Sequence, residues 1–339
     1  MELPMNSRSK FISGITTLDK TAFSVSTGLR SAIFVMLPLI IGLAVGFSGA
    51  IFFALGALFL SNTEGPHSTL PLKLLLVACF TEALAWAMGT LAGTAGIYAV
   101  PLVGMGVFIA SLGRIDLRWT QVAIFTAICF AVGAGLPGDT VSAALQRSSL
   151  ALLGSLFALS GVWLHRFFIS RKTSQTPSPA NAARPRREVF RITAALGIAS
   201  ALGFGIALWL GLPRDFWVVV TILFTFRPVL SLTVSFTAMM VLGTLLGSAI
   251  GGAVVLEITN LYVLLILLSI FSFLMFATRG VNLGVVQIFF GAFIIILLNI
   301  VFPARLLFAE ARIVDVVLGG MISITIVYII GLKNVVRKT

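Results

Sequence analysis

The stretch FRPVLSLTVSFTAMMVLGTLLGSAIGG, from Phe226 to Gly252, opens with an Arg-Pro pair and continues as an apolar run. A helix of about 20 apolar residues crosses the hydrocarbon core of a bilayer. Proline breaks a helix and arginine is costly in lipid, so Arg227 and Pro228 predict a turn that ends a short segment and precedes a membrane helix. The stretch therefore favours a membrane protein built from helices.

The composition extends this prediction to the whole chain. Of 339 residues, 59% are hydrophobic and only 10% are charged, and the mean hydropathy is +1.11. No long alternation of polar and apolar residues indicates a membrane barrel. Cys79 and Cys129 lie singly in apolar segments, a pattern that fits neither a disulfide framework nor a thiolate metal site, and no phosphate-binding loop is present. We predict an all-α polytopic membrane protein without a cofactor.

Twelve apolar segments predict about twelve transmembrane helices. Six precede and six follow the polar stretch from Ser170 to Glu188, whose Pro, Ser and Arg content is typical of a linker. The segments lie at 31–47, 49–60, 73–92, 95–113, 119–136, 148–165, 192–212, 216–226, 229–256, 258–277, 281–302 and 313–332. The predicted domains are a cytoplasmic tail at 1–30, a six-helix repeat at 31–169, a basic cytoplasmic linker at 170–190, a second six-helix repeat at 191–332 and a cytoplasmic tail at 333–339.

The distribution of Lys and Arg supports an even number of crossings in each half. Short cytoplasmic loops of membrane proteins carry an excess of these residues. With a cytoplasmic N-terminus and twelve crossings, nearly all of them fall on the cytoplasmic side, and only Arg147, Arg214, Arg305 and Arg312 fall on the other. The net charge of +12 is thus explained by topology, and we expect both termini to be cytoplasmic and no nucleic-acid partner.

The two halves also resemble each other in sequence. AMGTLAGTAG (87–96) matches VLGTLLGSAIGG (241–252), and QRSSLALLGSLFAL (146–159) matches ARIVDVVLGGMISI (311–324). ALFLSNTEGP (57–66) aligns more loosely with ILFTFRP (222–228). With six spans each, both halves start on the same side, which predicts two parallel six-helix repeats.

The second segment of each half is short and ends in a turn with proline. At ~1.5 Å per residue such a segment covers about half of the hydrocarbon thickness. Broken segments at matching positions of two repeats are typical of a transporter binding site, although the spans could also extend past these boundaries into ordinary turns. The predicted substrate path comprises Thr221, Thr225, Arg227, Pro228, Glu64 and Pro66.

Three charged residues are the main site candidates within this frame. Arg227 can hold a carboxylate through two hydrogen bonds, or it can lie at the cytoplasmic interface and contact lipid phosphates. Glu82 lies alone in the third segment, where burial favours the neutral carboxyl, so it is a candidate for proton coupling or a neutral acid bonded to a hydroxyl such as that of Thr81. Asp315, one turn after Arg312, is a second proton-coupling candidate.

Two further patterns predict helix contacts. Arg312 and Asp315 can pair along one helix face, and Arg147 occupies the place of Arg312 in the first half, where Leu150 replaces the aspartate. Small residues four positions apart let helices approach closely in lipid. We therefore assign helix packing to Gly89, Gly93, Gly243, Gly247 and Gly251.

The stretch from Phe216 to Gly252 resembles the signature of the fusaric acid resistance family of inner-membrane proteins, which includes the aromatic carboxylic acid exporters. An aromatic-led short segment, a turn with proline and a Gly-Thr-x-x-Gly helix carry the resemblance. The matching positions are Trp217, Thr221, Pro228, Thr233, Gly243, Thr244 and Gly247, with Gly56, Ser61, Glu64 and Pro66 in the first half and Arg312, Asp315 and Gly319 near the end.

The resemblance implies two six-helix bundles and efflux of small, often aromatic, organic anions from a bacterial cytoplasm across the inner membrane. Fuller members carry large soluble domains after each half, and we do not expect the functions of those domains here. A homo-oligomer or a periplasmic adaptor remains open as a partner. One alternative is a passive organic-anion channel similar to the plant malate channels. A membrane-embedded transferase is less favoured, because its catalytic residues would have to come from the scattered Glu64, His67, Asp116 and Asp139. We expect a transporter and not an enzyme.

Overall fold

Twelve α-helices make up nearly all of the structure, a computed structural model that describes residues 18–47, 49–64, 70–115, 117–136, 140–168, 185–301 and 307–330. The described residues contain no strand. Most of the predicted tails and linker, and Pro66 of the predicted substrate path, lie outside the described residues. The helices are α1 Val25–Ala44, α2 Ala50–Glu64, α3 Leu72–Gly93, α4 Ala99–Ser111, α5 Leu117–Gly135, α6 Val141–Phe168, α7 Arg186–Trp209, α8 Phe216–Thr225, α9 Leu230–Glu257, α10 Leu261–Ala277, α11 Leu283–Val301 and α12 Leu307–Ile329.

Eight of these helices are long and apolar enough to cross a membrane. They are α1, α3, α4 with the short 3-10 turns at its ends, α6, α7, α9, α11 and α12. The other four, α2, α5, α8 and α10, are shorter apolar helices. The prediction of an all-α, multi-pass membrane protein is confirmed, and each of the twelve predicted segments corresponds to one helix.

The two short segments of the prediction differ in length. Helix α8 has 10 residues and covers about 15 Å. It ends where Phe226, two residues before Pro228, takes an extended conformation. Helix α2 has 15 residues and continues to Glu64, past the predicted end at 60. In this last turn the side chains of Asn62 and Thr63 donate hydrogen bonds to carbonyls four residues back, at 2.8 and 3.1 Å.

The contacts of α2 with α6 recur between α8 and α12. Gly154 of α6 lies against the backbone of Phe53, and Gly319 of α12 lies against the backbone of Val218. An arginine of the later helix stacks on an aromatic ring of the short helix in both cases, Arg147 on Phe52 at 5.2 Å and Arg312 on Trp217 at 4.1 Å. Each residue of the α2–α6 contacts precedes its counterpart in the α8–α12 contacts by the same number of positions.

Glycine contacts join α3 to α5 and α9 to α11 in a second recurring pattern. A Cβ atom on any of the four central glycines would collide with a backbone carbonyl of the partner helix, so the paired helices touch at their backbones. Gly251 continues this contact against Ala292 and Ile295. The four facing pairs are Gly89 with Phe130, Gly93 with Ala134, Gly243 with Gly284 and Gly247 with Ile288. The residues of the first two pairs precede those of the last two by one constant number of positions.

The two halves meet through helices that hold equivalent places in each. Helix α1 packs on α10, where Gly28 lies against Ala277, and α4 packs on α7, where Gly104 lies against Gly197. Helix α5 also contacts α8. Between these seams the short helices α2 and α8 face each other across a cavity, together with α5 and α11.

Candidate functional site

A central cavity in two adjoining compartments lies between the halves. The first compartment has a volume of about 220 Å³ and the second about 380 Å³. Phe59, Val132, Trp217 and Phe290 line both compartments and separate them. The cavity therefore continues along the seam between the halves and narrows at three aromatic side chains.

One face of each short helix lines this cavity. On α8 and just after it the lining residues are Trp217, Val220, Phe224 and Arg227, which share a helical stripe. On α2 the equivalent stripe is Phe52, Leu55, Phe59 and Asn62. The two stripes correspond at the same offset as the arginine contacts, and the first three positions of each stripe have an apolar counterpart of broadly similar size in the other. Only the last pair differs in charge, Asn62 against Arg227.

Aromatic rings form much of the wall. The ring centroids of Phe59 and Phe125 lie 6.3 Å apart, and those of Phe125 and Phe224 lie 6.0 Å apart. Trp217 and Phe290 approach to 6.2 Å in an edge arrangement. These distances are in the range that aromatic pairs prefer. The wall therefore offers ring faces and edges to an apolar, planar molecule.

The first compartment is the more polar of the two. Its polar side chains are Asn62, Gln121, Arg227, Arg279 and Gln287, and none of the described residues that line either compartment is acidic. The side-chain oxygen of Gln287 has no hydrogen-bond partner, and the residue is only 3% exposed. The compartment thus combines positive charge with a buried, unused acceptor.

Arg227 is held in place by the helix that follows it. Its backbone N–H donates to the Thr233 hydroxyl at 3.1 Å. The Arg227 side chain donates from Nη1 to the Phe226 carbonyl at 2.9 Å, and its guanidinium lies 4.2 Å from the centre of the Phe236 ring. The Arg-Pro turn therefore presents a positioned cation, with Pro228 shaping the backbone and not lining the cavity.

Arg279, in the connection between α10 and α11, is a second cation of the first compartment. Its Nη1 donates to the Ser61 carbonyl at 2.5 Å, in the last turn of α2, so this arginine crosses from the second half to the first. Burial lowers the pKa of Arg279 from 12.5 to about 10, which leaves it charged at neutral pH. The sequence did not single it out, because a loop arginine looks like any topological cation.

The second compartment has a guanidinium of its own. Arg147 and Gln146 line it near the start of α6. Arg147 Nη1 donates to the Leu136 carbonyl at 3.2 Å, and its guanidinium stacks over Phe52. The sequence assigned Arg147 to helix pairing, but the structure places it at the wall of the cavity. Each compartment therefore has aromatic walls and at least one cation.

Two threonines of the predicted substrate path face away from the cavity. The Thr221 hydroxyl donates to the Trp217 carbonyl at 2.9 Å, and the Thr225 hydroxyl donates to the Thr221 carbonyl at 2.8 Å. Thr225 also bonds to the Ser323 hydroxyl of α12 at 2.9 Å. Both threonines are fully buried on the face of α8 that packs against α12. Neither threonine is among the residues that line the two compartments.

Glu64 is engaged by cations and does not line the cavity. Both terminal nitrogens of Arg30 bond to its carboxylate oxygens, and Arg166 approaches one oxygen at 3.6 Å. The carboxylate thus ties α1 and α6 to the end of α2. This ion-pair cluster has a structural role in the fold, so among the described residues of the predicted path Arg227 is the one that lines the cavity.

Glu82 has a different partner from the one considered in the sequence. The Thr63 hydroxyl donates to Glu82 Oε1 at 2.7 Å, while Oε2 has no partner. Thr81 instead bonds to the Ala78 carbonyl and to Thr126. Glu82 is 1% exposed, and Thr63 follows Asn62 of the cavity wall directly. The Glu82 carboxyl is therefore buried without a hydrogen bond to a cation among the described residues, and its partner Thr63 is next in sequence to the cavity stripe of α2.

Arg312 and Asp315 are not joined by a hydrogen bond. All three Arg312 nitrogens and both Asp315 oxygens lack hydrogen-bond partners among the described residues, although both side chains are almost fully buried. Arg312 stacks on Trp217 at 4.1 Å. The Trp217 ring is thus a direct contact of this cation, because a guanidinium is attracted to the face of an indole.

An acidic residue that the sequence did not single out lies at the start of α8. Burial raises the pKa of Asp215 from 3.8 to about 6, against the opposing effects of the Phe216 backbone N–H and of Arg214. Asp215 and Arg214 line a separate open pocket of about 690 Å³. The pKa of this carboxyl, which lies outside the membrane helices, is thus about 6.

Comparison with known proteins supports the predicted resemblance. Residues 201–326 match the family model described as fusaric acid resistance protein-like. No curated protein and no solved structure gave a significant match. The matched region contains the α8 stripe, the Arg-Pro turn, the glycines of α9 and the pair Arg312 and Asp315. Residues 201–326 of the chain are therefore similar to the fusaric acid resistance protein-like family.

Proposed function

We propose that the protein exports small organic anions, in particular aromatic carboxylates, through the central cavity. The observation that carries this proposal is a cavity with aromatic walls, two arginines in its first compartment and no acidic lining residue among those described. A carboxylate binds a guanidinium through charge-assisted hydrogen bonds, and an aromatic ring packs on the walls.

The volume of the first compartment suits a substrate of one ring. A protein cavity of about 150 Å³ lined by apolar residues holds benzene, so about 220 Å³ accommodates one substituted ring. The carboxylate lies near Arg227 and Arg279, and the ring lies against Phe125 and Phe224. Gln287 then accepts a hydrogen bond from a hydroxyl or amino group of the substrate, because its oxygen has no partner of its own.

The membrane arrangement proposed here is that of two parallel six-helix repeats that cross the bacterial inner membrane twelve times, with both termini cytoplasmic. The constant offsets between equivalent contacts of the two halves support the repeats. In this topology Arg227 and Arg279 lie at the cytoplasmic end of the cavity and Arg147 at the opposite end. Substrate enters beside the first pair of arginines and leaves past Arg147.

Proton coupling is proposed for Glu82 and Asp315. Neither carboxyl has a hydrogen bond to a cation among the described residues, and both are buried. An ionised carboxylate is costly in such a place, which favours a carboxyl that is neutral in this state and releases its proton in another. Glu82 is the stronger candidate for contact with the path, because its partner Thr63 adjoins Asn62.

The test is uptake of labelled benzoate into inverted vesicles. In such vesicles an exporter moves its substrate from the buffer into the vesicle lumen. We expect Arg227→Ala to reduce this uptake at least about tenfold, the minimum that loss of one charged hydrogen bond predicts. Arg187→Ala removes an exposed arginine and is the matched control. Normal uptake by a correctly inserted Arg227→Ala protein would remove this residue from the mechanism.

A passive organic-anion channel is the second candidate function. The observation that favours it is the pair of adjoining compartments with an arginine at each end, which would also serve a conducting path. Dissipation of the proton gradient distinguishes the two. An exporter coupled to protons stops accumulating benzoate, whereas a channel continues to equilibrate it.

A further inference from the structure

A groove on the outer surface between α1 and α6 has the form of a binding site for a lipid. Its wall from α1 consists of Ser26, Leu29, Arg30, Ile33 and Phe34, which share one helical face. Its wall from α6 consists of Gly161, Leu164, His165 and Phe168, again one face. The groove has a volume of about 330 Å³ and shares no lining residue with the central cavity.

The surface of the groove is apolar and accessible. Leu29 is 54% exposed and Ile33 46% exposed, and both lie where the membrane would surround the helix. Gly161 forms the floor, because its missing side chain leaves room for the ring of Phe34. A groove of this kind beside lipid accepts an acyl chain, and its chemistry at one end decides which lipid it prefers.

Positive charge accumulates behind the groove. Arg30, Arg166 and Arg279 surround a single carboxylate, that of Glu64, so the described cluster has more cations than anions. Arg30 and His165 line the groove itself, and His165 Nε2 has no hydrogen-bond partner. Basic residues between membrane helices attract anionic lipid head groups.

We propose that this groove binds an anionic glycerophospholipid. The acyl chain lies along Leu29, Ile33 and Leu164, and the phosphate lies beside Arg30 and His165, where it balances the excess charge of the cluster. The bound lipid contacts α1 and α6, the two helices that Glu64 ties to α2. It therefore stabilises the end of the cavity at which Arg279 reaches Ser61.

The test is native mass spectrometry of the full chain in detergent, titrated with phosphatidylglycerol or with phosphatidylcholine of the same acyl chains. We expect the wild type to bind phosphatidylglycerol about tenfold more tightly, given two excess cations. Ile33→Trp fills the groove and lowers binding of phosphatidylglycerol. Ile270→Trp, at an equally exposed isoleucine of α10, leaves it unchanged.

A charge variant tests the proposal independently of groove filling. Arg166→Gln lowers the preference for phosphatidylglycerol toward one, whereas Arg187→Gln does not. Thermal unfolding in phosphatidylcholine identifies variants that fold, and Arg166→Gln decides the question if Ile33→Trp does not fold. Equal binding of the two lipids by the wild type overturns the proposal. So does equal thermal stabilisation by glycerol 3-phosphate, which would show a phosphate site that needs no acyl chain.

Discussion

Replacing Arg279 by glutamine separates its role in holding the halves together from its role in binding an anion. The substitution removes a charged donor to the Ser61 carbonyl at 2.5 Å, and hydrogen bonds of this kind contribute about 1.5 to 3 kcal/mol. We therefore expect a lower unfolding temperature in detergent. If the same guanidinium also contacts the substrate carboxylate, the KM for benzoate uptake rises about tenfold to a hundredfold.

Arg166→Gln is the matched variant for this experiment. Arg166 donates to the Leu70 carbonyl at 2.9 Å and approaches Glu64, but it does not line the central cavity. Its loss lowers stability by a similar amount and leaves the KM for benzoate unchanged. Arg279→Lys retains the charge with fewer donors and gives an intermediate KM. The reasoning is refuted if Arg279→Gln loses stability as Arg166→Gln does and still transports benzoate with the wild-type KM.

Three other predictions test the cavity and its surroundings. Gln287→Leu removes the unused acceptor, so uptake of 4-hydroxybenzoate falls relative to benzoate, by about fivefold or more; equal loss for both acids would contradict this role. Thr221→Val changes the face of α8 that packs on α12, so vesicle uptake stays at the wild-type rate, and a KM increase would return Thr221 to the path. Because the folded state of Asp215 binds its proton more tightly than the unfolded state does, stability falls as pH rises from about 4 to about 6. Asp215→Asn abolishes this fall and gains about 1 to 2 kcal/mol at pH 7, measured by thermal unfolding against Asp19→Asn, whose aspartate is exposed.

The helices and the Arg-Pro turn could be predicted from the sequence because local rules determine them. Apolar length predicts a membrane helix, and Pro228 restricts the residue before it to an extended conformation. The end of α8 that precedes Arg227 was predicted to within one residue. The glycine contacts of α3 and α9 lie where spacing by four placed them, since only backbone packing explains small residues at that period in lipid.

The face of α8 that lines the cavity could not be predicted from periodicity. The helix is buried on nearly every side, so neither Thr221 nor Phe224 shows which direction is solvent, protein or cavity. Polar side chains looked like path residues, whereas the two threonines satisfy their hydroxyls on backbone carbonyls. The aromatic stripe was missed because phenylalanine suits lipid and protein interior equally well.

Contacts between distant parts of the chain were also beyond local rules. Glu64 meets Arg30 and Arg166 from helices far apart in sequence, and no spacing rule connects them. The loose match of 57–66 with 222–228 did not fix the register of α2 against α8. The stacked arginines and the glycine contacts place Asn62 opposite Arg227.

The difference between Asn62 and Arg227 has a consequence for how the two halves evolve. The stripes of α2 and α8 have apolar residues at their first three positions, and only the last position, Asn62 or Arg227, differs in charge. An arginine at position 62 would be the third in the first compartment, after Arg227 and Arg279, and would favour dianions over monoanions. Under the proposed function, substrate choice can therefore change through a substitution at position 62 of α2, while Arg227 stays in place.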